Sequence, residues 1–138
     1  MTFNTFIAKY GGHYVDWDHA YGYQCVDLMR QYVWDVIGLK PYIAIPSTGN
    51  AKDIYKNYHG TAFQKIPNTP LGIPKDGDII FWGFYPGVTG WAGHVAVVVG
   101  TGGSVNNFIS FDQNWPTNSA CHRQLHNYRG VLGWLRKV

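Results

Sequence analysis

The 138-residue sequence contains no glutamate, so all eight of its acidic side chains are aspartates. It also lacks a long apolar segment, because its longest hydrophobic run lies near Val95 to Val99. A membrane-spanning helix needs roughly 20 apolar residues. The first residues have neither the basic start, the apolar stretch nor the cleavage site of a secretory signal peptide. We therefore expect no membrane partner and no export by a signal peptide.

Charge is scarce as well. Charged residues make up 14% of the chain, the formal net charge is +3, and the lysines and arginines are scattered along the sequence. Proteins that bind nucleic acid usually carry a clustered basic patch, so we expect no nucleic-acid partner. Hydrophobic residues at 46% and aromatic residues at 17% exclude a disordered chain. The length suits one domain, which we expect to span residues 1–138.

Only two cysteines are present, Cys25 and Cys121. The pair could form a disulfide in an exported protein, or the two residues could be unrelated thiols. Both alternatives remain open at this level, although the local contexts of the two residues differ.

The first half of the chain shows helical periodicity. The apolar residues after Cys25 recur at three- and four-residue spacings, namely Val26, Met29, Val33 and Ile37. Gly38 is the stop signal of this helix, and Cys25 lies at or just before its first residue. A second helix is predicted over about 50–58, where polar residues can cap its start and Gly60 closes it.

After the proline-rich passage 67–74, the pattern changes to short apolar runs separated by glycine. These runs are DIIFWG, GHVAVVVG, NNFISFDQNW, ACHRQLHNY and VLGWLRKV. They predict antiparallel strands. Helices followed by strands indicate an α+β fold, with N-terminal helices packed on a C-terminal antiparallel β-sheet. In this arrangement His94 opens one strand and Asp112 ends the next.

Cys25 is a candidate nucleophile, because the free backbone N–H groups and the dipole of a helix N-terminus favour a thiolate. Its alternative role is that of a small buried apolar residue. His94 is the candidate general base, and the small residues Ala92 and Gly93 before it leave room for a substrate. A cysteine and a histidine together predict nucleophilic catalysis.

A third group must orient the imidazole of His94. Asp112 and Asn114 lie two residues apart on the following strand, so they share one face. Either side chain can accept the imidazole N–H, and the charge of Asp112 favours it. The backbone N–H of Cys25 and the side-chain amide of Gln24 are candidate donors to an oxyanion.

Three aspartates crowd the segment DWDHAYGYQCVD. Asp16, Asp18 and Asp27 can supply carboxylate oxygens to a hard cation such as Ca²⁺, and Ala20 and Gly22 can add backbone carbonyls. The alternative is that these acids only interact with the dipole of the following helix.

In order, the segments GYQCVDLMRQYV, GDIIFW, GHVAVVVG, FDQNW and GVLGWLR resemble the CHAP domain family of cysteine, histidine-dependent amidohydrolases and peptidases, found in phage endolysins and bacterial autolysins. The resemblance implies a papain-like α+β fold in which Cys25 and His94 match the nucleophile and the base. The family's third residue is often a glutamate, whereas this chain has Asp112, which keeps Asn114 in consideration. The aspartate-rich segment resembles the calcium site of some phage members.

The resemblance also implies that bacterial peptidoglycan is the substrate, cut as an endopeptidase or as an N-acetylmuramoyl-L-alanine amidase. The chain is expected to act as a monomer on the cell wall, reached through a holin or with a phage particle, either alone or within a larger lysin that has a separate wall-binding domain. Two other hypotheses are a transglutaminase-like acyl transferase and a non-catalytic, calcium-dependent wall-binding module in which Cys25 and Cys121 are bridged.

Overall fold

The computed structural model describes residues 1–100 and 103–138. Four α-helices lie in the first half of the chain: α1 (Phe3–Tyr10), α2 (Cys25–Tyr32), α3 (Pro41–Ala44) and α4 (Ala51–Asn57). A five-residue π-helical segment, Val33–Ile37, directly continues α2. It ends at Gly38, whose φ of 80° places it in the left-handed region that glycine adopts without strain. The predicted stop signal is therefore confirmed.

Six strands form one antiparallel sheet. They are β1 (Phe63–Pro67), β2 (Ile79–Trp82), β3 (His94–Val99), β4 (Phe108–Asp112), β5 (His122–His126) and β6 (Val131–Lys137). Their order across the sheet is β1-β6-β2-β3-β4-β5, so β3 and β2 lie at the centre. The predicted α+β class is confirmed, with helices from the first half of the chain packed on a sheet from the second.

Strand β1 is the strand that the sequence pattern did not predict, and the pattern did not specify helices α1 and α3 either. Its segment FQKIP has little alternation, and it contains a proline. Proline lacks a backbone N–H and is tolerated on an edge strand, which is where β1 lies. The partner strand β6 fixes its position through five residue pairs, from Phe63 with Lys137 to Pro67 with Gly133.

Both faces of the central sheet are buried. The predicted helical stripe Val26, Met29, Val33 and Ile37 packs in a cluster with the inward side chains of the sheet, among them Phe81, Val95 and Val97. The opposite face carries a second cluster that includes Ile80, Trp82, Ala96 and Trp134. Successive residues of a strand point to opposite faces, so a strand buried on both sides has a continuous apolar sequence. This explains why all six residues of β3 are buried.

Over residues 1–100 and 103–138, no helix combines the length and the apolar character that crossing a membrane requires.

Candidate active site

Cys25 is the first residue of α2 and is partly exposed on the surface of a groove. The backbone N–H groups of a first helical turn have no acceptor within the helix. Just before it, the backbone N–H of Gln24 donates to Oδ2 of Asp27 at 2.9 Å, which fixes the start of the helix. Both cysteines are free, and Cys121 is fully buried. The described structure therefore contains no bridge between Cys25 and Cys121.

His94 lies at the first position of β3, where it pairs with Trp82 of β2. Its imidazole is only 4% exposed and packs against the rings of Trp82 at 5.0 Å and Trp115 at 4.8 Å between centroids. Ring packing on two sides leaves the imidazole few orientations. The entry of the chain into β3 thus holds the candidate base.

Gly93 also has a structural role, because neighbouring elements pack closely against its backbone. Its φ is 75°, and a Cβ atom added there would collide with the carbonyl oxygen of Trp82 and lie 3.0 Å from Cβ of Lys52. The missing side chain therefore lets β2 and α4 approach the start of β3. Gly93 and Ala92 also line the groove, and their role in admitting a substrate stays a prediction.

Asp112, at the end of β4, contacts the imidazole of His94. The distance between His94 Nε2 and Asp112 Oδ2 is 2.7 Å, and the carboxylate is fully buried. Asn114, the alternative orienter, adopts a left-handed backbone with φ 65°, and its Oδ1 accepts the backbone N–H of Asn118 at 2.6 Å. Of the two alternatives, the structure brings Asp112 to His94.

The electrostatics of His94 follow from these contacts. Burial on its own lowers the pKa of His94, but hydrogen bonds with Asp112 and Cys25 outweigh burial and raise the pKa to about 9. Because Nε2 faces Asp112, Nδ1 is the nitrogen left for Cys25. A protonated imidazole beside a thiol favours the thiolate, the form that acts as a nucleophile.

The groove around Cys25 and His94 has a volume of about 1090 Å³. Its walls include tyrosines 14, 21 and 23 on the side of Cys25 and residues 114–118 on the side of Asp112. Among the described residues that line it, none is an aspartate, a lysine or an arginine. The candidate nucleophile and the candidate base thus line one groove, and the carboxylate of Asp112 contacts the base from behind it.

The CHAP domain family model matches residues 14–114, which contain the cysteine, the histidine and the aspartate. This chain belongs to the CHAP domain family.

Several phage proteins are similar to this CHAP domain. It is 33% identical over 128 residues to endolysin PlyTW of Staphylococcus phage Twort and 34% identical over 123 residues to endolysin LysK of Staphylococcus phage K. Each match covers 88% of this chain but only 26% and 23% of the respective relative. The chain therefore spans about a quarter of the length of these relatives.

The fold is also similar to that of a solved endolysin structure. The crystal structure of the wild-type endolysin LysIME-EF1 matches with a TM-score of 0.75 and 28% sequence identity. The match covers 99% of this chain and 64% of that chain. The whole of the present CHAP domain thus has a counterpart in an endolysin.

Gln24 lies at the edge of the groove, immediately before the candidate nucleophile. Its side-chain amide donates to the backbone carbonyl of Tyr21 at 3.2 Å. An amide nitrogen carries two hydrogens, so this contact leaves one that can be donated elsewhere. The position remains compatible with the predicted oxyanion donor.

The three predicted aspartate ligands come together. Asp16, Asp18 and Asp27 each offer a carboxylate oxygen, and these oxygens all lie within 4.8 Å of one another. Oδ1 of Asp16 is buried without a hydrogen-bond partner, and Asp27 is only 3% exposed. Burial and the neighbouring carboxylates of Asp18 and Asp16 raise the pKa of Asp27 to about 6, against the hydrogen bond from Gln24. Such a cluster of like charges fits a cation.

The residues between the aspartates form an irregular loop. Positive φ angles occur at His19, Tyr21 and Gly22, and Oδ1 of Asp18 accepts the backbone N–H of Ala20 at 2.9 Å. Ala20 and Gly22 thus lie in the same loop as the carboxylates, as the predicted ligand set requires. Their carbonyls stay predicted ligands.

Two residues that contact this site were missed by the sequence reasoning. His126, the last residue of β5, places Nε2 3.0 Å from Oδ2 of Asp112. Gln113 is fully buried and exchanges hydrogen bonds with the backbone of Val15 at 2.6 and 2.8 Å, while its amide also donates to the carbonyl of Gln24 at 2.8 Å. The FDQNW segment could have indicated Gln113, since strand alternation turns it away from Asp112 and toward the helices.

Proposed function

We propose that this CHAP domain hydrolyses an amide bond of bacterial peptidoglycan, with Cys25 as the nucleophile, His94 as the base and Asp112 as the orienting group. The contacts of His94 with Cys25 and with Asp112, beside a groove that Cys25 and His94 line, are the observation that carries this proposal. The similarity to phage endolysins supports the choice of substrate.

In the first half of the reaction, His94 holds the proton taken from Cys25, and the sulfur attacks the carbonyl carbon of the scissile amide. A carbon–sulfur bond forms, and the carbonyl oxygen becomes an oxyanion. The backbone N–H of Cys25 and the free amide hydrogen of Gln24 are the donors that stabilise it. The carbon–nitrogen bond then breaks as His94 gives its proton to the leaving amine, which yields a thioester.

In the second half, His94 removes a proton from a water molecule that attacks the thioester. The new carbon–oxygen bond forms, the carbon–sulfur bond breaks, and the sulfur returns to its starting state beside protonated His94. Asp112 stays ionised throughout, because hydrogen bonds from His126 and His94 overcome the effect of burial and lower its pKa to about 2. Its charge stabilises the imidazolium that recurs in both steps.

The bond that is cut lies either in the peptide or at the sugar-to-peptide amide. A neutral groove suits an uncharged peptide backbone in both cases. Mass spectrometry of the products from purified peptidoglycan distinguishes the two: new glycine or alanine N-termini within the peptide indicate an endopeptidase. Free lactyl-glycans together with intact stem peptides indicate the amidase.

Calcium is the cofactor that we propose for the aspartate cluster. Ca²⁺ binds six to eight oxygen ligands, and carboxylates of Asp16, Asp18 and Asp27 with carbonyls of Ala20 and Gly22 would provide five of these positions. The unpartnered oxygen of Asp16 and the mutual repulsion of the carboxylates support this assignment. Bound there, the ion would neutralise the cluster and hold the loop that leads into α2.

Because the relatives are about four times longer, we also propose that this domain works beside a separate wall-binding domain. Its place of action would be the bacterial cell wall, reached after holin-dependent release or with a phage particle. A single polypeptide that acts as a monomer is sufficient for the proposed chemistry, since every group in it comes from one chain.

The decisive experiment is the substitution Cys25→Ala, assayed by the clearing of a staphylococcal cell-wall suspension. We expect clearing to stop while circular dichroism stays unchanged, because the change removes only the attacking sulfur. Cys121→Ala is the matched control, since it removes the other free thiol, and it should clear the suspension. Full clearing by Cys25→Ala would refute the proposal.

The transferase alternative has its own readout. A transglutaminase-like enzyme would pass the acyl group from Cys25 to an added amine, whereas a hydrolase passes it to water. Incubation with a labelled primary amine should therefore leave the products unlabelled. Label in the wall fragments would favour the transferase.

A further inference from the structure

His126 lies in the wall of the groove and takes no part in the bond-making and bond-breaking steps proposed above. The residue ends β5, is 6% exposed and lines the groove that contains Cys25 and His94. Its Nε2 atom lies 3.0 Å from Oδ2 of Asp112, the same oxygen that contacts His94 at 2.7 Å. Two imidazoles thus share one carboxylate oxygen.

The imidazole of His126 is held by aromatic rings. Its centroid lies 4.8 Å from that of Trp82, 4.7 Å from that of Trp115 and 5.5 Å from that of Phe108. Trp82 and Trp115 also pack against His94. The same two indole rings therefore restrain both histidines around Asp112.

The hydrogen-bond pattern determines which atoms carry protons. An ionised carboxylate only accepts hydrogen bonds, so both Nε2 atoms must be protonated. Asp112 receives a third hydrogen bond on its other oxygen, Oδ1, from the hydroxyl of Ser110 at 2.5 Å. Donors on both oxygens define the rotation of the carboxylate about its Cβ–Cγ bond. The carboxylate in turn keeps the Nε2–H tautomer of His94, which leaves Nδ1 for Cys25.

We propose that His126 is a positioning residue, which donates its Nε2–H to Asp112 and thereby fixes the carboxylate that orients His94 toward Cys25. The inference rests on the proposed hydrolytic function and assigns a fourth side chain to it. His126 acts through Asp112 and does not exchange a proton with the substrate.

Substitutions that keep or remove the N–H donor distinguish a positioning role of His126 from a role in packing alone. His126→Gln carries an amide N–H at nearly the reach of Nε2, whereas His126→Asn is one methylene shorter and cannot reach Asp112. His126→Phe keeps the ring volume and removes the donor. His122→Gln, on the same strand but bonded to Ala120 and Gln124, is the matched control.

The assay measures kcat and KM on solubilised staphylococcal peptidoglycan. We expect His126→Phe and His126→Asn to lower kcat by about 10- to 100-fold with KM within about twofold, because misplacement of a catalytic group affects the chemical step. His126→Gln should retain kcat within about threefold, and His122→Gln should match the parent protein.

Nuclear magnetic resonance of ¹⁵N-labelled imidazoles supplies a readout that is independent of activity. The Nε2–H signal of His94 should shift or broaden in His126→Phe and stay near its parent position in His126→Gln. If His126→Phe does not fold, the Asn and Gln pair decides the same question with the same two measurements.

Three results would overturn the inference: an unchanged kcat in both the Phe and Asn variants, equal losses in the Gln and Asn variants, or a His94 signal that ignores the loss of the donor. Activity that survives Cys25→Ala would instead refute the hydrolytic function, while the His94 signal would still report on the contact with His126. The two failures are therefore distinguishable.

Discussion

Two groups of side chains flank the start of helix α2 at Cys25, and they differ in how their charges are balanced. On the sheet side, His94, Asp112 and His126 form a buried set in which opposite charges and hydrogen-bond donors already match. On the loop side, three carboxylates crowd together, and one buried oxygen has no partner. In the first region the opposite charges are paired within the protein. The second region concentrates carboxylates, which is why we propose a cation for it.

Gln113 connects the two regions. It follows Asp112 directly in the chain, yet its side chain bonds to Val15, next to the first aspartate of the loop, and to Gln24, next to the candidate nucleophile. One side chain therefore joins the segment before the aspartate loop to the start of α2 and to the end of β4. The start of α2, where the candidate nucleophile lies, is therefore held from both sides, and the cation that we propose would act on only one of them.

The largest expected effect is that of Asp112→Asn, which disrupts the contacts of Asp112 with His94 and His126 on the sheet side. An amide offers one acceptor oxygen to the three donors that now share the carboxylate, and it brings no charge to stabilise an imidazolium. We expect cell-wall clearing to fall by up to about 10⁴-fold, the loss that an aspartate-to-asparagine change causes at the orienting residue of a Ser-His-Asp triad. Asn114→Ala should cost far less, and a larger loss in that variant would identify Asn114 as the orienter.

The connection between the regions is tested by Gln113→Ala. The change leaves the N–H and the carbonyl of Val15 and the carbonyl of Gln24 without their buried partner. Each lost partner of a buried polar group costs about 1–3 kcal/mol, so we expect the free energy of unfolding to fall by about 3 kcal/mol or more. Urea denaturation measures it, and the exposed substitution Gln64→Ala on β1 serves as the control. A loss below about 1 kcal/mol would mean that Gln113 does not hold the two regions together.

Much of this arrangement follows from local sequence. The helical stripe after Cys25 predicts where α2 begins, and the apolar run after His94 predicts where β3 begins. Both candidate catalytic residues are the first residues of these elements. Alternation within β4 places Asp112 and Asn114 on one face, although it does not reveal that the chain turns left-handed at Asn114 and carries it away. A single left-handed residue leaves no periodic signal.

The residues that escaped prediction depend on contacts between distant segments. His126 reaches Asp112 because β5 pairs with β4, and the register of two strands is not encoded in either one alone. Gln113 contacts Val15 across 98 positions of the sequence. Strand β1 was missed because an edge strand with a proline gains its definition from β6.

The loop side is tested by removing the cation. Calcium at about 100 times its dissociation constant would stabilise the folded state by about 2.7 kcal/mol, so chelation should lower the melting temperature by several degrees and calcium should restore it. Asp18→Asn should abolish this response, because it removes one carboxylate of the cluster without disturbing a buried contact. Asp76→Asn, an exposed aspartate outside the cluster, should keep it. A melting curve that ignores both chelator and calcium would exclude a metal from this loop.

The smallest expected effect is the pH dependence of the stability that His94 and Asp112 contribute on the sheet side. The folded-state pKa of His94 is raised to about 9 from 6.5, so its stabilisation is complete below pH 6.5 and is lost as the pH rises through 9. The folded-state pKa of Asp112 is lowered to about 2 from 3.8, so its stabilisation is complete above pH 3.8 and is lost as the pH falls through 2. The unfolding free energy of the parent protein should therefore exceed that of Asp112→Asn by a constant amount between pH 3.8 and pH 6.5. The excess should shrink as the pH falls toward 2 or rises toward 9. Urea denaturation across the pH range, in excess calcium so that the loop stays saturated, measures this difference, and a difference that keeps growing above pH 9 would contradict the assigned ion pair.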